Sequence, residues 1–174
     1  KLEAMHMFYG RRFEYHPTAG TTPVLTFEGL DTVAEIFLNG RRVGQCENML
    51  IAQTFELDDL RDGENELVVH ILPACIAARG RKMSAANNAL KYDYESLRLR
   101  KSASMFGWDI MPRIVSGGIY RPAYIEDRPA ERFRQLYLMT TGVSAEDETA
   151  ELSLFYEVEA LGDDLSEYRV RMRG

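Results

Sequence analysis

The residues best suited to chemistry lie in the stretch "FGWDIMPR", residues 106–113, which holds the only tryptophan of the 174-residue chain. Trp108 is followed directly by Asp109. An aromatic plane offers a surface on which a ligand can stack, and a carboxylate accepts hydrogen bonds. Because adjacent side chains point in different directions, one loop can supply both, and we predict Trp108 and Asp109 as a ligand-binding pair.

The same residue types also have structural roles, which the sequence leaves open. Trp108 can instead pack in a hydrophobic core, and Asp109 can instead cap a turn. For Arg113 the favoured interpretation is an ion pair with a nearby carboxylate rather than a contact to substrate. Gly107 and Pro112 are residues typical of loops, so the segment is expected to form an exposed excursion.

The other residues with reactive side chains give no second site. His6, His16 and His70 are scattered without metal-ligand spacing, and no metal site and no cofactor are predicted. Cys46 and Cys75 lack a CxxC or Cys/His pattern, so both are expected to be small buried apolar residues, with a disulfide between them the less favoured alternative.

Composition excludes several classes of protein. The chain carries 21 Lys+Arg against 27 Asp+Glu, a net charge of −6, which is the opposite of the basic surface of a nucleic-acid binder. No stretch approaches the roughly 18 consecutive apolar residues of a transmembrane helix. Neither nucleic acid nor a membrane is therefore expected as a partner. Two basic runs are interpreted as solvated faces; they consist of Arg79, Arg81, Lys82, Arg98, Arg100 and Lys101.

The elements that must position the loop are mainly β-strands. Residues 33–43 alternate in polarity around Asn39-Gly40, which predicts a hairpin with a tight turn. "ELVVHIL", ended by Pro73, predicts a further strand, and a strand is expected around Phe55 and Leu57. "GIYRPAYIE" predicts another strand, in which Pro122 requires an edge or a bulge. Gly117 and Gly118 before it are expected to form a bulge or a positive-φ turn, not a phosphate loop.

Two features predict exceptions to this pattern. The spacing of Leu90, Tyr94, Leu97 and Lys101 predicts a short helix or turn. "EDRPAERFRQ", which begins at Glu126, has a composition typical of a linker, and strands are expected after it at "LYLMTT", "AELSLFYEVEA" and "YRVRMRG". We therefore predict one domain over residues 1–127, and a linker with the first strands of a second, truncated domain over 128–174.

Three segments together resemble glycoside hydrolase family 2. "LTFEGLDTVAEIFLNGRRVGQCENM" is similar to the central hairpin of the amino-terminal sugar-binding domain of this family, and "DGENELVVHILPA" is similar to a later strand of it. "LRLRKSASMFGWDIMPRIVSGGIYRPAYIE" resembles the β-mannosidase branch, in which an Arg-Lys pair precedes an aromatic-Gly-Trp-Asp loop and a Gly-Ile-Tyr-Arg-Pro strand. The resemblance covers residues 8 to 127.

This resemblance implies a fold and a role. The fold is mainly β: a galactose-binding-domain-like jelly-roll sandwich whose early strands are absent, followed by part of an immunoglobulin-like sandwich. The role is that of a non-catalytic amino-terminal fragment of a retaining exo-β-glycosidase. Its partners would be a β-linked mannoside or related glycoside and the catalytic barrel domain of the same parent chain, and the residue at the position of Asp109 would contact the sugar in the −1 subsite. The alternative is an independent carbohydrate-binding module or scaffold domain.

The resemblance also limits the chemistry expected of this chain. Retaining glycoside hydrolysis needs two carboxylates about 5 to 5.5 Å apart, which in this family both come from the barrel, so no catalytic residue is predicted here. Asn65-Glu66 matches the family's dipeptide before the acid/base residue, but it follows the Asp62-Gly63 turn and is interpreted as the start of a strand. β-Mannosidases usually continue Trp-Asp-Trp-Gly-Pro, whereas this chain has Ile110 and Met111 in place of the second Trp and the Gly. This difference leaves the identity of the sugar open. The sequence also leaves the oligomeric state and the cellular compartment open.

Overall fold

A computed structural model describes residues 2–82, 94–160, 165–166, 168–171 and 173. The described part is mainly β, as predicted. Its strands, in chain order, are β1 (Met7–Tyr15), β2 (Thr21–Phe27), β3 (Leu30–Asp31), β4 (Ala34–Leu38), β5 (Arg41–Cys46), β6 (Gln53–Glu56), β7 (Gly63–Ile71), β8 (Gly118–Ile119), β9 (Ala123–Pro129), β10 (Arg132–Ser144) and β11 (Thr149–Glu159). One α-helix is described, α1 (Ala74–Arg79), with 3-10 helices at Leu2–Ala4, Tyr94–Leu97 and Ala103–Phe106. No helix in these ranges is long and apolar enough to cross a membrane.

The chain divides into two compact units. The first contains Lys1–Thr18 and Pro23–Asp127, and the second contains Ala19–Thr22 and Arg128–Gly174. In the first unit one sheet has the order β1-β7-β4-β5 and another has the order β6-β2-β9. A core lies between the two sheets; its fully buried members include Leu25, Phe27, Ile36, Leu38, Val69 and Ile71.

The predicted hairpin is confirmed as β4 and β5. Asn39 and Gly40 connect the strands with φ of 51° and 82°, the pair of positive values that a tight two-residue turn requires. Ala34, Ile36 and Leu38 on one face of β4 are completely buried. The alternation read from the sequence corresponds to one fully buried face of β4.

Asn65 stabilises the adjacent turn. Its side chain donates to the carbonyls of Arg61 (2.8 Å) and Gly63 (2.9 Å), and its Oδ1 accepts from the side chain of Asn39 (2.8 Å). The residue is buried, whereas the neighbouring Glu66 is exposed and lies 3.5 Å from Arg12. The dipeptide is structural, as interpreted from the sequence.

The predicted strand over "GIYRPAYIE" is instead two strands in different sheets. β8 pairs with β3, whereas β9 lies at the edge of the three-stranded sheet beside β2. Pro122 separates them, since it has no N–H to continue a ladder, and its carbonyl accepts from the backbone N–H of Glu28 (3.0 Å). Gly118 has φ of 145°, which bears out the positive-φ expectation.

The helical expectation is only partly met. Tyr94–Leu97 is a 3-10 turn, Leu90 falls outside the described residues, and Lys101 lies beyond the turn. The α-helix that is present, α1, was not predicted. It buries Ala74, Cys75 and Ala78 in a second core cluster with Phe106. Cys46 and Cys75 are both buried and free, as expected, so the disulfide alternative is wrong.

The second unit contains a long hairpin, β10 and β11, at the positions of two predicted strands. The described part of "YRVRMRG" has no strand, contrary to prediction. The charged segment interpreted as a linker lies largely within β9 and β10. Its charges suit a strand because they pair across the hairpin: Arg132 contacts Glu159 (2.7 Å) and Arg134 contacts Glu157 (3.1 Å).

Hydrogen bonds connect the end of β1 to β9. Tyr15 Oη and Thr18 Oγ1 each donate to the Asp127 carboxylate at 2.6 Å. The Thr18 and Tyr15 hydrogen bonds lower the pKa of Asp127, and the hydrogen bond to that carboxylate raises the pKa of Tyr15 to about 12. Because the pKa of Tyr15 is higher in the folded than in the unfolded protein, protonated Tyr15 stabilises the fold. This contribution is complete at pH values below about 10, the ordinary tyrosine pKa, and is lost as the pH rises from about 10 to 12.

A tyrosinate titration tests this link. Of the 9 tyrosines, Tyr15 should ionise at about pH 12, so the absorbance difference between the wild type and Tyr15→Phe should appear there. Tyr124→Phe, a matched change on β9, should leave that transition in place. A Tyr15→Phe difference centred near pH 10 would mean that the Asp127 hydrogen bond does not form in solution.

Candidate functional site

The Trp-Asp segment lies at the tip of an excursion formed by residues 102–115. Phe106 on the outgoing limb and Val115 on the returning limb are both buried, at 1% and 8% exposure, in the α1 cluster. Between these two anchors the chain is exposed. The limbs are also joined directly, because the Ile114 N–H donates to the Met105 carbonyl (3.0 Å).

The tip is a tight turn. Trp108 and Met111 exchange two backbone hydrogen bonds of 3.0 Å each, with Asp109 and Ile110 at the two corners. Gly107 precedes the turn with φ of 105°, a conformation that a residue with a Cβ adopts only under strain. The turn thus presents its side chains outward from a defined backbone.

Both predicted binding residues lie on this turn and face solvent. The Trp108 side chain is 72% exposed, so the alternative that it packs in the core is wrong. The Asp109 carboxylate makes no hydrogen bond or ion pair to any residue in the described ranges, and no cap of the turn is formed by it there. An aromatic face and a carboxylate are therefore adjacent and accessible, with Ile110 beside them at 90% exposure.

Arg113 braces the returning limb and has the carboxylate partner expected from the sequence. Its Nε donates to Glu3 Oε2 (3.0 Å), and its guanidinium lies 5.4 Å from the centre of the Phe106 ring. Burial alone would lower the pKa of Arg113, but the hydrogen bond to Glu3 and the nearby Glu95 charge raise it on balance. The guanidinium thus has the carboxylate partner expected from the sequence, although its side chain remains 30% exposed.

Glu95 lies behind Arg113 and is almost completely buried. Its Oε1 accepts from Arg79 Nη2 at 3.1 Å and lies 3.9 Å from Arg113. Its Oε2 has no hydrogen-bond partner among the described residues.

Burial raises the pKa of the neighbouring Cys75 thiol, which disfavours the nucleophilic thiolate.

Sequence reasoning missed the group that anchors the excursion at its base. Lys101, interpreted as part of a solvated basic face, has a side chain with 0% exposure and pairs with Asp31 on β3. Its Nζ donates to Asp31 Oδ2 (2.6 Å) and to the carbonyl of Ser116 (2.9 Å). No local pattern marks the pair: Asp31 lies between Leu30 and Thr32, and its need for a cation becomes apparent only from its burial in the structure.

Lys82 and Arg100 are exposed, as interpreted from the sequence, whereas Arg81 and Arg98 make contacts within the protein. Arg98 Nη1 donates to the Ala78 carbonyl (2.9 Å), and Arg81 contacts Glu47 (2.5 Å). Both side chains connect loops around α1.

The histidines are less scattered than the sequence suggests. His6 Nδ1 lies 2.8 Å from His70 Nε2, and Phe8 stacks on the His70 ring. No group of three or more His, Cys, Asp or Glu residues arranged to hold a metal ion occurs in the described part of the chain.

Comparisons with known proteins agree with this architecture. The profile of the glycosyl hydrolase 2 galactose-binding domain-like family matches residues 2–121. β-Mannosidase B of Aspergillus terreus is 29% identical over 146 residues, which are 81% of this chain and 17% of that protein. β-Mannosidase B of Aspergillus flavus is 28% identical over 156 residues, 87% of this chain and 18% of that protein. The chain thus spans less than a fifth of these relatives.

Solved structures show the same similarity. The β-D-mannosidase of Dictyoglomus thermophilum superposes with a TM-score of 0.77 at 26% identity, over 91% of this chain and 20% of that one. The β-glucuronidase of Bifidobacterium dentium, with a TM-score of 0.62 at 18% identity over 92% of this chain and 29% of that one, shares the fold. Since the family profile covers most of the first unit, including the Trp-Asp turn, the chain belongs to the glycosyl hydrolase 2 galactose-binding domain-like family.

Proposed function

We propose that this chain is the non-catalytic amino-terminal part of a retaining exo-acting β-glycosidase of the β-mannosidase type. The observation that carries the proposal is the exposed Trp108–Asp109 turn, raised on an excursion whose two limbs are anchored in a core. The similarity to β-mannosidases from Aspergillus terreus and Dictyoglomus thermophilum supports the same assignment. The first unit would form one wall of the sugar pocket and brace the catalytic barrel of the parent chain.

In this role the two side chains divide the work. The indole face of Trp108 packs against the C–H face of a sugar ring. The Asp109 carboxylate accepts hydrogen bonds from ring hydroxyls, and such bonds to a charged acceptor are stronger than neutral ones. The two carboxylates that break the glycosidic bond are supplied by the barrel, so this chain binds and orients the substrate, a β-linked mannoside or related glycoside.

Replacing Asp109 in the longer parent protein tests the binding role. Asp109→Ala should lower kcat/KM by about ten-fold, if one charge-assisted hydrogen bond of roughly 1.5 kcal/mol is lost, to about ten-thousand-fold, if two of up to roughly 3 kcal/mol each are lost. The change is at the surface, so unfolding free energy should fall by about 0.5 kcal/mol or less. Kinetics on an aryl β-mannoside and a thermal melt measure the two effects.

A matched control is Asp58→Ala, which removes an exposed carboxylate from the turn between β6 and β7. It should leave both kcat/KM and the melting temperature unchanged. Full activity of a folded Asp109→Ala protein would mean that the carboxylate does not contact substrate.

The isolated 174-residue chain should hydrolyse no aryl β-glycoside, and it should bind monosaccharides only at millimolar strength or weaker. One wall of a pocket leaves most of the ligand surface in water. Calorimetry with mannose measures the affinity. Micromolar binding would favour an independent carbohydrate-binding module, and turnover abolished by a point mutation in this chain would disprove a non-catalytic role.

Because Trp108 is the only tryptophan, its fluorescence reports on the turn alone. An indole that is 72% exposed should emit as it does in water and should be quenched by acrylamide almost as efficiently as a free tryptophan derivative. Emission should change little on unfolding in guanidinium chloride. A blue-shifted, weakly quenched indole would show that the turn packs against the domain and presents no stacking face.

A further inference from the structure

A buried ion pair closes the base of the excursion. Lys101 immediately precedes residues 102–115 and Ser116 immediately follows them. Lys101 Nζ donates to both carboxylate oxygens of Asp31, to the Ser116 carbonyl (2.9 Å) and to Ser116 Oγ (3.2 Å). Ser116 Oγ in turn donates to Asp31 Oδ2 (2.6 Å). One ammonium group therefore joins the two ends of the excursion to each other and to β3.

The arrangement is specific for a charged lysine. An ammonium has three N–H donors, and the two carboxylate oxygens and the Ser116 carbonyl provide an acceptor for each. Burial lowers the pKa of Lys101, and the hydrogen bond and charge of Asp31 act against that shift. A neutral side chain of the same length would leave the Asp31 carboxylate buried without a countercharge.

Stability alone is a weak reason for such a pair. Replacing a buried ion pair by apolar residues of similar volume is often neutral or stabilising, so its clearest contribution is to select one geometry. Here the geometry selected is that of the chain entering and leaving the excursion. The entering limb is held further by the Met49 N–H, which donates to the Arg100 carbonyl (2.9 Å), and the leaving limb by the pairing of Asp31 with Gly118.

The constraint extends from the base to the tip. Arg113, bound to Glu3 and stacked on Phe106, fixes the returning limb halfway. Gly107 and the two Trp108–Met111 hydrogen bonds then define the turn. These contacts follow one another from the base to the tip, and together they restrict the backbone that carries Asp109.

We propose that Lys101 is a positioning residue for the Trp108–Asp109 turn: with Asp31 and Ser116 it holds the excursion in the one geometry that presents Asp109 to the sugar. The inference rests on the proposed function, in which Asp109 contacts substrate. It assigns to Lys101 an effect on activity that passes through Asp109 and not through the overall stability of the domain.

A double-mutant cycle in the longer parent protein separates these two effects. Lys101→Met, which keeps the length of the side chain and removes its charge, should lower kcat/KM by about 10- to 100-fold in the folded protein, since a displacement near 1 Å at a binding group has effects of that size. In an Asp109→Ala background the same change should lower kcat/KM less than about three-fold. Lys82→Met, the same substitution at an exposed lysine, should have no effect in either background.

Equal losses from Lys101→Met in both backgrounds would overturn the proposal, as would full activity of a folded Lys101→Met protein. If Lys101→Met does not fold, Ser116→Ala keeps the ion pair, removes the hydroxyl contacts and enters the same cycle, with the same coupling to Asp109 expected and additive losses again contradicting the proposal.

Hydrogen exchange on the 174-residue chain gives a readout without substrate. Loss of the buried pair lowers the stability of the whole domain, so amides of β4 should lose some protection in Lys101→Met. Amides of residues 102–115 should lose about ten-fold more protection than those of β4, because they open locally. Uniform acceleration over both segments, or none, would overturn the positioning role. If Asp109→Ala retains full activity, the proposed function fails, and the exchange result still decides whether Lys101 fixes the excursion.

Discussion

Placing a lysine ammonium out of contact with water costs several kcal/mol. In the described part of the first unit, one lysine, Lys101, is buried in this way. There, Lys101 and Asp31 neutralise each other, and the Ser116 carbonyl supplies the remaining acceptor. Removing either charged partner alone would leave an uncompensated buried charge, a loss of about 3 to 5 kcal/mol. The short strand β3, the entry to the excursion and its exit all meet at this pair.

The excursion is therefore rigid at its base and open at its tip. Core contacts of Phe106 and Val115, the Arg113–Glu3 ion pair and the Gly107 conformation each fix a successive point along it. None of these groups is exposed in the way Trp108 and Asp109 are. The division matches what a preformed binding wall needs, because side chains held by a fixed backbone lose less entropy when a ligand binds.

The sequence predicts the parts of this fold that depend on local patterns. Alternating polarity and Asn39-Gly40 identify the β4–β5 hairpin, and Gly107 with Pro112 identifies an exposed loop carrying Trp108 and Asp109. Contacts distant in sequence are not visible in such patterns. The residues next to Lys101 in the sequence do not indicate that it is buried, because its partner, Asp31, lies 70 residues earlier. Similarly, the sequence predicts that Pro122 interrupts a single strand, and only the structure shows that β8 and β9 on either side of it lie in different sheets.

The exposure of Ile110, the corner residue beside Asp109, bears on how such domains diverge during evolution. A side chain that contacts almost nothing in its own domain can be exchanged with little effect on folding, whereas exchange of Lys101, Asp31 or Phe106 would disturb a buried cluster. Selection can therefore act on the corner residues almost independently of selection for a folded domain. Ile110 and Met111, at 90% and 50% exposure, are positions at which this separation permits change: a lineage can alter the surface of the turn while inheriting the same scaffold unaltered.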